Sequence, residues 1–391
     1  MISWYSLIIK TNAEKVGAQM RFLHTADWHI GKKLHGYELW TEQEDAFQQI
    51  LALAQQKKVD AVVLAGDIYD RALPSEQAVA TVNQMLQQIN LTAQLPLLAI
   101  SGNHDSATRL ETGSPWFTAT NFYLNTKLEQ AFTPIELADT QFFLLPYFEP
   151  FAARQYFGDD KLRTIAQAMP KIVAAMQEKF KADKKHVLVA HFFAAGSQQS
   201  DSETKVTVGG LDAVPTDALA AFDYVALGHL HNETALHAER IKYSGSPLKF
   251  SVSEAQQQKG VWLIDTDPFQ AEFLPLKPLR DVAEVTASFA QLTDPAYYGQ
   301  LERDDYLAIN LTDTKVIPNV MQELRKIYPY ILSLSRENGR EVTATSTPQI
   351  RTLSPMALLA DFFQETTTQS LTTKQEKLAA AALKAAQKDG E

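Results

Sequence analysis

The sequence predicts an α/β protein: an α-β-β-α sandwich of two sheets flanked by helices, followed by a small α+β capping domain and C-terminal helices. Three observations indicate this class. Short apolar strands alternate with amphipathic helical segments from Met20 onward, several strands run into glycine turns, and the pattern changes at a proline-rich boundary near Pro278. With 391 residues, of which 45% are hydrophobic, the chain can bury a large core.

Four segments follow from this pattern. Residues 1–19 precede the first predicted strand and are interpreted as a disordered N-terminal extension or as an upstream start-codon assignment. Residues 20–278 form the predicted catalytic domain and residues 279–345 the predicted capping domain. Residues 346–391 are a Ser/Thr-rich linker and C-terminal helices.

The elements of the catalytic domain are predicted from apolar runs and cap residues. Thr41 with Glu44 has the spacing of a capping box, and Ser75 precedes a segment with Val79, Val82, Leu86 and Ile89 on one helical face. A third helix is predicted around residues 161–180. The predicted strands are 21–25, 59–65, 97–100, 142–148, 186–191, 224–227, 241–244, 261–265 and 271–276.

The capping domain and the C-terminal region carry weaker signals. The capping domain is predicted to contain helices at 282–292 and 316–327 and strands at 306–311 and 330–335. Ser354-Pro355 is a good helix start, and an apolar stripe over 356–363 either packs on its own domain or binds a partner helix. Thr373 with Glu376 is predicted to cap an alanine-rich last helix.

Composition excludes several classes of protein. The absence of cysteine excludes disulfides, thiolate zinc sites and a cysteine nucleophile, and it fits a reducing cytoplasm. No apolar run approaches the ~20 residues that span a bilayer, so no membrane association is expected. The formal charge of −10 argues against DNA binding by bulk positive charge. A DNA-binding role would therefore depend on bound metals, a local basic groove or a partner.

Metal-binding residue types cluster at the ends of the predicted strands. The clusters are Asp27-x-His29, Gly66-Asp67, Gly102-Asn103-His104-Asp105, His191 and Gly228-His229-x-His231, and together they hold five of the nine histidines. Loops at that edge of a layered α/β fold converge on one site. Carboxylate, imidazole and amide ligands suit Mn²⁺, Fe²⁺ or Mg²⁺. The other histidines, His24, His35, His186 and His237, are interpreted as packing or surface residues.

These five motifs, in this order, resemble those of the calcineurin-like metallophosphoesterases. More narrowly, the stretches FLHTADWHIG (22–31), DAVVLAGDIYD (60–70), GNHDS (102–106), DYVALGHLH (223–231) and YSGSPL (243–248) resemble the SbcD family. Members of that family are the nuclease subunits of bacterial complexes with the ATPase SbcC. The match is dense in motifs only up to about residue 250.

The resemblance implies a role for each motif residue. Asp67 would bridge two divalent ions, most simply Mn²⁺. Asp27, His29 and His231 would complete one metal site, and Asn103, His191 and His229 the other. His104 would act at the scissile phosphate as a catalytic residue rather than as a ligand, with Asp105 orienting it.

The resemblance also implies an activity and partners. These are manganese-dependent 3′→5′ exonuclease action on duplex DNA ends, endonuclease action on single strands or hairpins, a homodimer, and a coiled-coil ATPase of the SbcC type that binds the C-terminal helices. Two alternatives stay open, because a fold does not determine a substrate. One is a stand-alone phosphoesterase that acts on small phosphodiesters or phosphoproteins, and the other is a scaffold with vestigial chemistry.

Overall fold

The computed structural model describes residues 19–198, 200, 213–315, 317–336, 371–373, 375–376 and 378–380. The chain divides into two compact units, Met1–Asn310 with Asn319–Leu334, and Leu311–Pro318 with Ser335–Glu391. The two large sheets and the site lie in the first unit. The predicted extension up to residue 18 and the predicted helix at Ser354-Pro355 with its apolar stripe lie outside the described residues.

Sixteen strands and nine α-helices are found in the described part of the chain. The strands are β1 (Arg21–Thr25), β2 (Lys33–Leu34), β3 (Tyr37–Glu38), β4 (Ala61–Ala65), β5 (Leu97–Ile100), β6 (Phe122–Asn125), β7 (Ile135–Leu137), β8 (Thr140–Leu145), β9 (Lys185–His191), β10 (Tyr224–Gly228), β11 (Ile241–Tyr243), β12 (Gly260–Thr266), β13 (Phe269–Pro275), β14 (Val282–Ala287), β15 (Tyr306–Leu311) and β16 (Ile331–Arg336). The helices are α1 (Trp40–Gln56), α2 (Glu76–Gln87), α3 (Ala107–Leu110), α4 (Ser114–Phe117), α5 (Pro150–Phe157), α6 (Ile165–Gln177), α7 (Phe289–Leu292), α8 (Pro295–Tyr298) and α9 (Val320–Leu324).

Two sheets form the body of the first unit. One has six strands in the order β13-β12-β1-β4-β5-β6, and the other has five in the order β11-β10-β9-β8-β7. In the first sheet β1, β4, β5 and β6 are parallel, and in the second β8 to β11 are parallel. Parallel strands end at the same edge of a sheet, so the loops that follow β1, β4, β5, β9 and β10 can meet there.

The core lies in three layers, which confirms the predicted α-β-β-α sandwich. Between the sheets, alternate side chains such as Phe22, Val63, Phe142 and Val189 form one apolar cluster. The opposite faces of the same strands pack against α1 and α2 on one side and against α5 and α6 on the other. This arrangement follows from the strand period of two, which sends neighbouring side chains to opposite faces.

A three-stranded sheet, β14-β15-β16, follows the sandwich where the capping domain was predicted. The predicted helix at 282–292 is wrong, because residues 282–287 form strand β14 and only α7 is helical. Val285 and Ala287 are buried while Glu284 and Thr286 are exposed, the alternation of a strand with one face covered. The predicted helix at 316–327 is also shorter, since only Val320–Leu324 is helical among the described residues there.

Helix starts and faces differ from the prediction in detail. Helix α1 begins at Trp40, so Thr41 lies inside the helix and makes no capping box. Ser75 caps α2 as predicted, and its hydroxyl accepts from the Ala78 N–H at 3.2 Å. However, the buried face of α2 contains Ala78, Val82 and Met85, whereas Val79 is 38% exposed.

The last described residues include a helix cap, and the described helices can be compared with the requirements for spanning a membrane. Near the C-terminus the cap residue is Thr372 rather than Thr373, because the Gln375 side chain accepts from the Thr372 N–H at 2.9 Å and the Thr372 hydroxyl accepts from the Gln375 N–H at 3.4 Å. Among the described residues, no helix combines the length and the apolar character needed to cross a bilayer.

Candidate metal centre

The loops that carry the predicted ligands have an unusual backbone. Asp27, His29, Asp67 and His229 all have positive φ, at 53°, 44°, 49° and 96°. Residues other than glycine rarely adopt this left-handed region, and the backbone strain costs of order 1–3 kcal/mol per residue. Backbone strain of this kind clusters at functional sites, and here it occurs at four of the seven predicted ligands.

Glycines let these loops pack closely. A Cβ on Gly66 would overlap Nδ1 of the His191 ring and lie 3.0 Å from the Gly102 Cα. A Cβ on Gly228 would overlap the Ala65 carbonyl oxygen and lie 2.8 Å from His191 Nδ1. The close approach of loops from both sheets therefore requires glycine at these positions.

Asp27, His29 and His231 form the first group of converging ligand atoms. One atom from each side chain lies within 4.8 Å of the others, and all three residues are buried. His29 Nε2 lies 3.1 Å from His231 Nε2, so the two rings present nitrogens to the same point. His29 Nδ1 has no hydrogen-bond partner in the described part of the chain. A cation between these atoms would fit the donor set, because imidazole lone pairs and a carboxylate oxygen point to one place.

Asn103, His191 and His229 form the second group. Asn103 Oδ1 lies 2.9 Å from His191 Nε2 and 3.0 Å from His229 Nδ1. Asp67 stands between the two groups, because its Oδ2 is 3.3 Å from His191 Nε2 and 3.6 Å from His29 Nε2. All seven predicted metal-ligating residues are thus brought together, with Asp67 in contact with both groups.

Electrostatics favours a cation at this place. Burial lowers the pKa of His229 to about 3, so its imidazole is neutral. Burial would raise the pKa of Asp67, but His191, His29 and His104 lower it well below its usual range. Burial lowers the pKa of His191, but the carboxylates of Asp67 and Asp27 outweigh this and raise it to about 9. A bound cation would take the place of that proton, since metal ligands bind deprotonated.

His104 lies beside the converging ligands, with its ring 4.8 Å from the ring of His29, and is only partly buried. Its backbone N–H donates to Asp67 Oδ1 at 2.8 Å, and its Nδ1 lies 2.8 Å from the Asp70 carbonyl oxygen. A carbonyl can only accept, so Nδ1 carries the proton in the neutral ring.

Asp105 fixes the loop on which His104 lies. Its carboxylate accepts from the backbone N–H groups of Ile68 at 3.1 Å, Tyr69 at 2.9 Å and Gly102 at 2.9 Å. Burial and the charge of Asp67 raise the pKa of Asp105 to about 6. Asp105 thereby ties the loop after β5 to the loop after β4, and these contacts allow it to position His104 through the backbone.

Several residues at the site carry no motif signal in the sequence. Gln43 donates to the His29 carbonyl at 2.8 Å, and Lys259 donates to the His231 carbonyl at 2.8 Å. Glu254 Oε1 lies 3.7 Å from His231 Nδ1. These residues come from a helix start and from the segment before β12, where neither periodicity nor spacing distinguishes them. The YSGSPL stretch was the one nearby signal, and the Ser246 N–H donates to the same carbonyl of His231.

Two of the four other histidines, His24 and His186, pack against aromatic side chains as predicted. His24 is fully buried, and its Nδ1 lies 2.9 Å from the Tyr224 hydroxyl. Burial lowers its pKa to about 3, so it is a neutral core residue. The ring of His186 stacks on Phe180 at 3.7 Å. Neither side chain belongs to the converging groups.

Two family models and a curated relative match this chain. Residues 20–233 match the model of the calcineurin-like phosphoesterases, and residues 278–367 match the model described as type 5 capsule protein repressor C-terminal domain. The SbcD subunit of the nuclease SbcCD from Staphylococcus epidermidis is 33% identical over 359 residues, which cover 91% of this chain and 96% of that protein.

Solved structures with lower similarity were also found. The protein TT1561 of Thermus thermophilus has a TM-score of 0.40 at 14% identity over 66% of this chain and 100% of that chain. A dimetal phosphatase from Danio rerio has a TM-score of 0.38 at 12% identity over 66% of this chain and 99% of that chain.

The two-sheet sandwich and its converging Asp, Asn and His side chains define a calcineurin-like phosphoesterase, a fold that implies a dinuclear metal centre. The similarity to the Staphylococcus epidermidis protein extends beyond this fold, through the sheet β14-β15-β16 and along almost the whole chain. Within that class, the chain belongs to the family of SbcD nuclease subunits.

Proposed function

We propose that this chain is the nuclease subunit of a DNA-processing complex and hydrolyses DNA phosphodiester bonds with two divalent ions. The observation that carries the proposal is the contact of Asp67 with both buried ligand groups, 3.6 Å from His29 Nε2 and 3.3 Å from His191 Nε2. One carboxylate can bridge two cations through its two oxygens. Two ions about 3.5–4 Å apart supply positive charge to the attacking and leaving oxygens of an in-line phosphoryl displacement.

The proposed ligand sets follow the two groups. Asp27, His29 and His231 hold one ion, Asn103, His191 and His229 hold the other, and Asp67 belongs to both. The donor atoms are oxygen and nitrogen only, which suits Mn²⁺ first and Mg²⁺ or Fe²⁺ as alternatives.

His104 is the proposed acid at the leaving oxygen. The hydrogen bond of Nδ1 to the Asp70 carbonyl makes Nε2 the nitrogen that accepts a proton and passes it on. The backbone N–H of His104 donates to Asp67 Oδ1, and this bond supports a position of the ring next to the centre. Asp105 is the proposed positioning residue, since its carboxylate holds the loop from Gly102 onward.

The substrate and partners follow from the family. The relative is named a subunit of SbcCD, and we extend to this chain 3′→5′ exonuclease action on duplex ends, endonuclease action on single strands or hairpins, and assembly with an SbcC-type ATPase in the cytoplasm. A homodimer is proposed as well. Trp116 is 76% exposed and Leu73 is 67% exposed, so both side chains are accessible to a second copy of the chain.

The proposal is tested by degradation of end-labelled linear duplex DNA by the purified chain with Mn²⁺, with and without EDTA. Single-stranded DNA, a hairpin and a small phosphodiester ester are assayed alongside. We expect loss of DNA that EDTA abolishes and that Asp67→Asn abolishes without a change in far-UV circular dichroism. Asp159→Asn is the matched control, because that carboxylate pairs with Lys171 on the surface.

Two results would overturn the proposal. Hydrolysis of the small ester with all DNA substrates intact, even after addition of SbcC and ATP, would indicate a stand-alone phosphoesterase. Cleavage by Asp67→Asn at the rate of the unmodified chain would remove Asp67 from the centre.

A further inference from the structure

A buried ion pair lies behind His231, on the side of the ring away from the metal centre. Glu254 is fully buried and Lys259 is 7% exposed, and Lys259 Nζ lies 2.5 Å from Glu254 Oε2. Taking two charges out of water is costly, and an apolar pair of similar volume is often at least as stable. A contribution to the stability of the fold is therefore a weak explanation for the presence of this ion pair. Its contacts with His231 indicate a role at the metal centre instead.

The ion pair lies next to both the backbone carbonyl and the ring Nδ1 of His231. Lys259 Nζ donates to the His231 carbonyl at 2.8 Å and to the Ser246 hydroxyl at 3.1 Å. Glu254 Oε1 faces His231 Nδ1 at 3.7 Å, while Nε2 of the same ring faces His29 Nε2 at 3.1 Å. The pair therefore holds the backbone of His231 and presents a carboxylate to the nitrogen opposite the one aimed at the centre.

The two proposed ion sites differ in the group that lies behind a histidine ligand, on the side away from the ion. His191, on the other site, has its Nδ1 2.9 Å from the Ala65 carbonyl oxygen, a neutral acceptor. Asp27 Oδ1 lies 3.9 Å from the same nitrogen, but Asp27 is itself a proposed ligand, and its charge would be shared with an ion. At 3.7 Å the Glu254 carboxylate is beyond hydrogen-bonding distance of His231 Nδ1, so it acts on the ring through its charge, which makes the opposite nitrogen a stronger ligand than a neutral carbonyl does. Of these two rings, His231 is therefore the one backed by a carboxylate that belongs to neither ion site.

We propose that Glu254 and Lys259 are positioning residues for His231 and that they selectively strengthen the ion site of Asp27, His29 and His231. The inference rests on the proposed function, since it takes these residues as ligands. It predicts that the two sites bind Mn²⁺ with different affinities, and that the difference depends on the carboxylate of Glu254, which is a ligand of neither ion.

The test is a Mn²⁺ titration of the full chain, with free Mn²⁺ measured by electron paramagnetic resonance. We expect two bound ions in the unmodified chain. Glu254→Gln, which keeps the shape and removes the charge, should weaken one ion by roughly 10–100-fold and leave the other unchanged. DNA cleavage by this variant should recover at saturating Mn²⁺, because no ligand has been removed.

Glu42→Gln is the matched control. Glu42 is also buried, but its partners are Arg280 at 2.5 Å and the Tyr306 hydroxyl at 3.0 Å. This variant should lower the melting temperature and leave both Mn²⁺ affinities unchanged. If Glu254→Gln behaved in the same way, the pair would be structural only and the inference would be wrong.

A second variant covers the case in which Glu254→Gln alone does not fold because it leaves Lys259 buried without its partner. Glu254→Gln combined with Lys259→Met removes both charges and should fold while one ion stays weak. Two ions bound by the double variant with the original affinities would overturn the inference. Failure of the unmodified chain to bind Mn²⁺ or cleave DNA would instead overturn the proposed function, so the two failures are distinguishable.

Discussion

His29 Nε2 and His231 Nε2 lie 3.1 Å apart although 202 residues separate them in the chain. His29 follows β1 in the six-stranded sheet, and His231 follows β10 in the five-stranded sheet. Their distance is set by the packing of the two sheets on each other through the apolar layer between them. Metal affinity is therefore a sensitive measure of how well this layer is packed.

Replacing His104 separates a role in proton transfer from a role in metal binding. His104→Ala should lower kcat by about 10²–10⁴-fold, the usual contribution of a positioned acid or base. The two Mn²⁺ affinities should stay the same, because the contact of His104 with Asp67 is through its backbone N–H. Single-turnover cleavage measures the effect on the rate, and Mn²⁺ titration measures the two affinities. Loss of one bound ion in this variant would indicate that His104 is a metal ligand.

Gly228→Ala should disrupt the centre by steric overlap alone. The new Cβ would meet the Ala65 carbonyl and lie 2.8 Å from His191 Nδ1 and 3.1 Å from the Ala26 Cβ. We expect a loss of about 1–3 kcal/mol in the free energy of unfolding, as in other overpacked cores, together with weaker Mn²⁺ binding. Denaturant unfolding and Mn²⁺ titration measure both effects.

Gly158→Ala is the control for that substitution. A Cβ on Gly158 meets no atom within 4 Å, although its φ is +63°. It should cost only the backbone strain of about 1–2 kcal/mol and leave Mn²⁺ affinity unchanged. Equal Mn²⁺ affinities in the two glycine variants would contradict the steric explanation.

The proposed homodimer can be tested at Trp116. The neighbouring Phe117 packs on the same apolar cluster as α2, so Trp116 and the exposed Val79 project from one outer layer of the first unit. Trp116→Glu should convert a dimer to a monomer in sedimentation velocity. Phe151→Glu, at a side chain that is 63% exposed on α5, should leave the dimer intact. A dimer that persists in Trp116→Glu would exclude this layer as the interface.

Truncation after Arg351 tests the proposed attachment of the ATPase. The family resemblance implies that SbcC binds the C-terminal region, and the proposed catalytic and metal-ligating residues all precede it. The shortened chain should keep basal cleavage of DNA with Mn²⁺ and lose most of its affinity for SbcC in a pull-down with both purified proteins. Undiminished capture of SbcC would place the contact elsewhere.

The strands and ligand clusters were predictable because their signals are local and repeated. Buried strands such as Ala61–Ala65 are continuous apolar runs, and each predicted ligand cluster lies at the end of such a run or directly after it. The parallel order of strands then brings the clusters to one edge. A family resemblance added the pairing of ligands into two groups, which spacing alone does not give.

Other features depend on tertiary contacts that no short pattern encodes. Residues 282–292 have an apolar spacing compatible with either a helix or a strand, and pairing with β15 selects the strand in β14. Thr41 and Glu44 have the spacing of a capping box, but the helix starts at Trp40 with Leu39 as its N-cap, two residues earlier than that spacing predicts. Glu254 and Lys259 could not be recognised because their partner, His231, is distant in the sequence.

The position of β1 between β4 and β12 has a consequence for synthesis of the chain. Met20 N–H donates to Thr266 Oγ1 at 3.0 Å, and the Thr266 N–H donates to the Met20 carbonyl at 3.0 Å. The ribosome must therefore release residue 266 before the first strand gains both neighbours, and pairings this distant form slowly. Every proposed ligand, from Asp27 to His231, has left the ribosome by then, so the sheet that carries Asp27 and Asp67 is completed only after the whole ligand set has been synthesised.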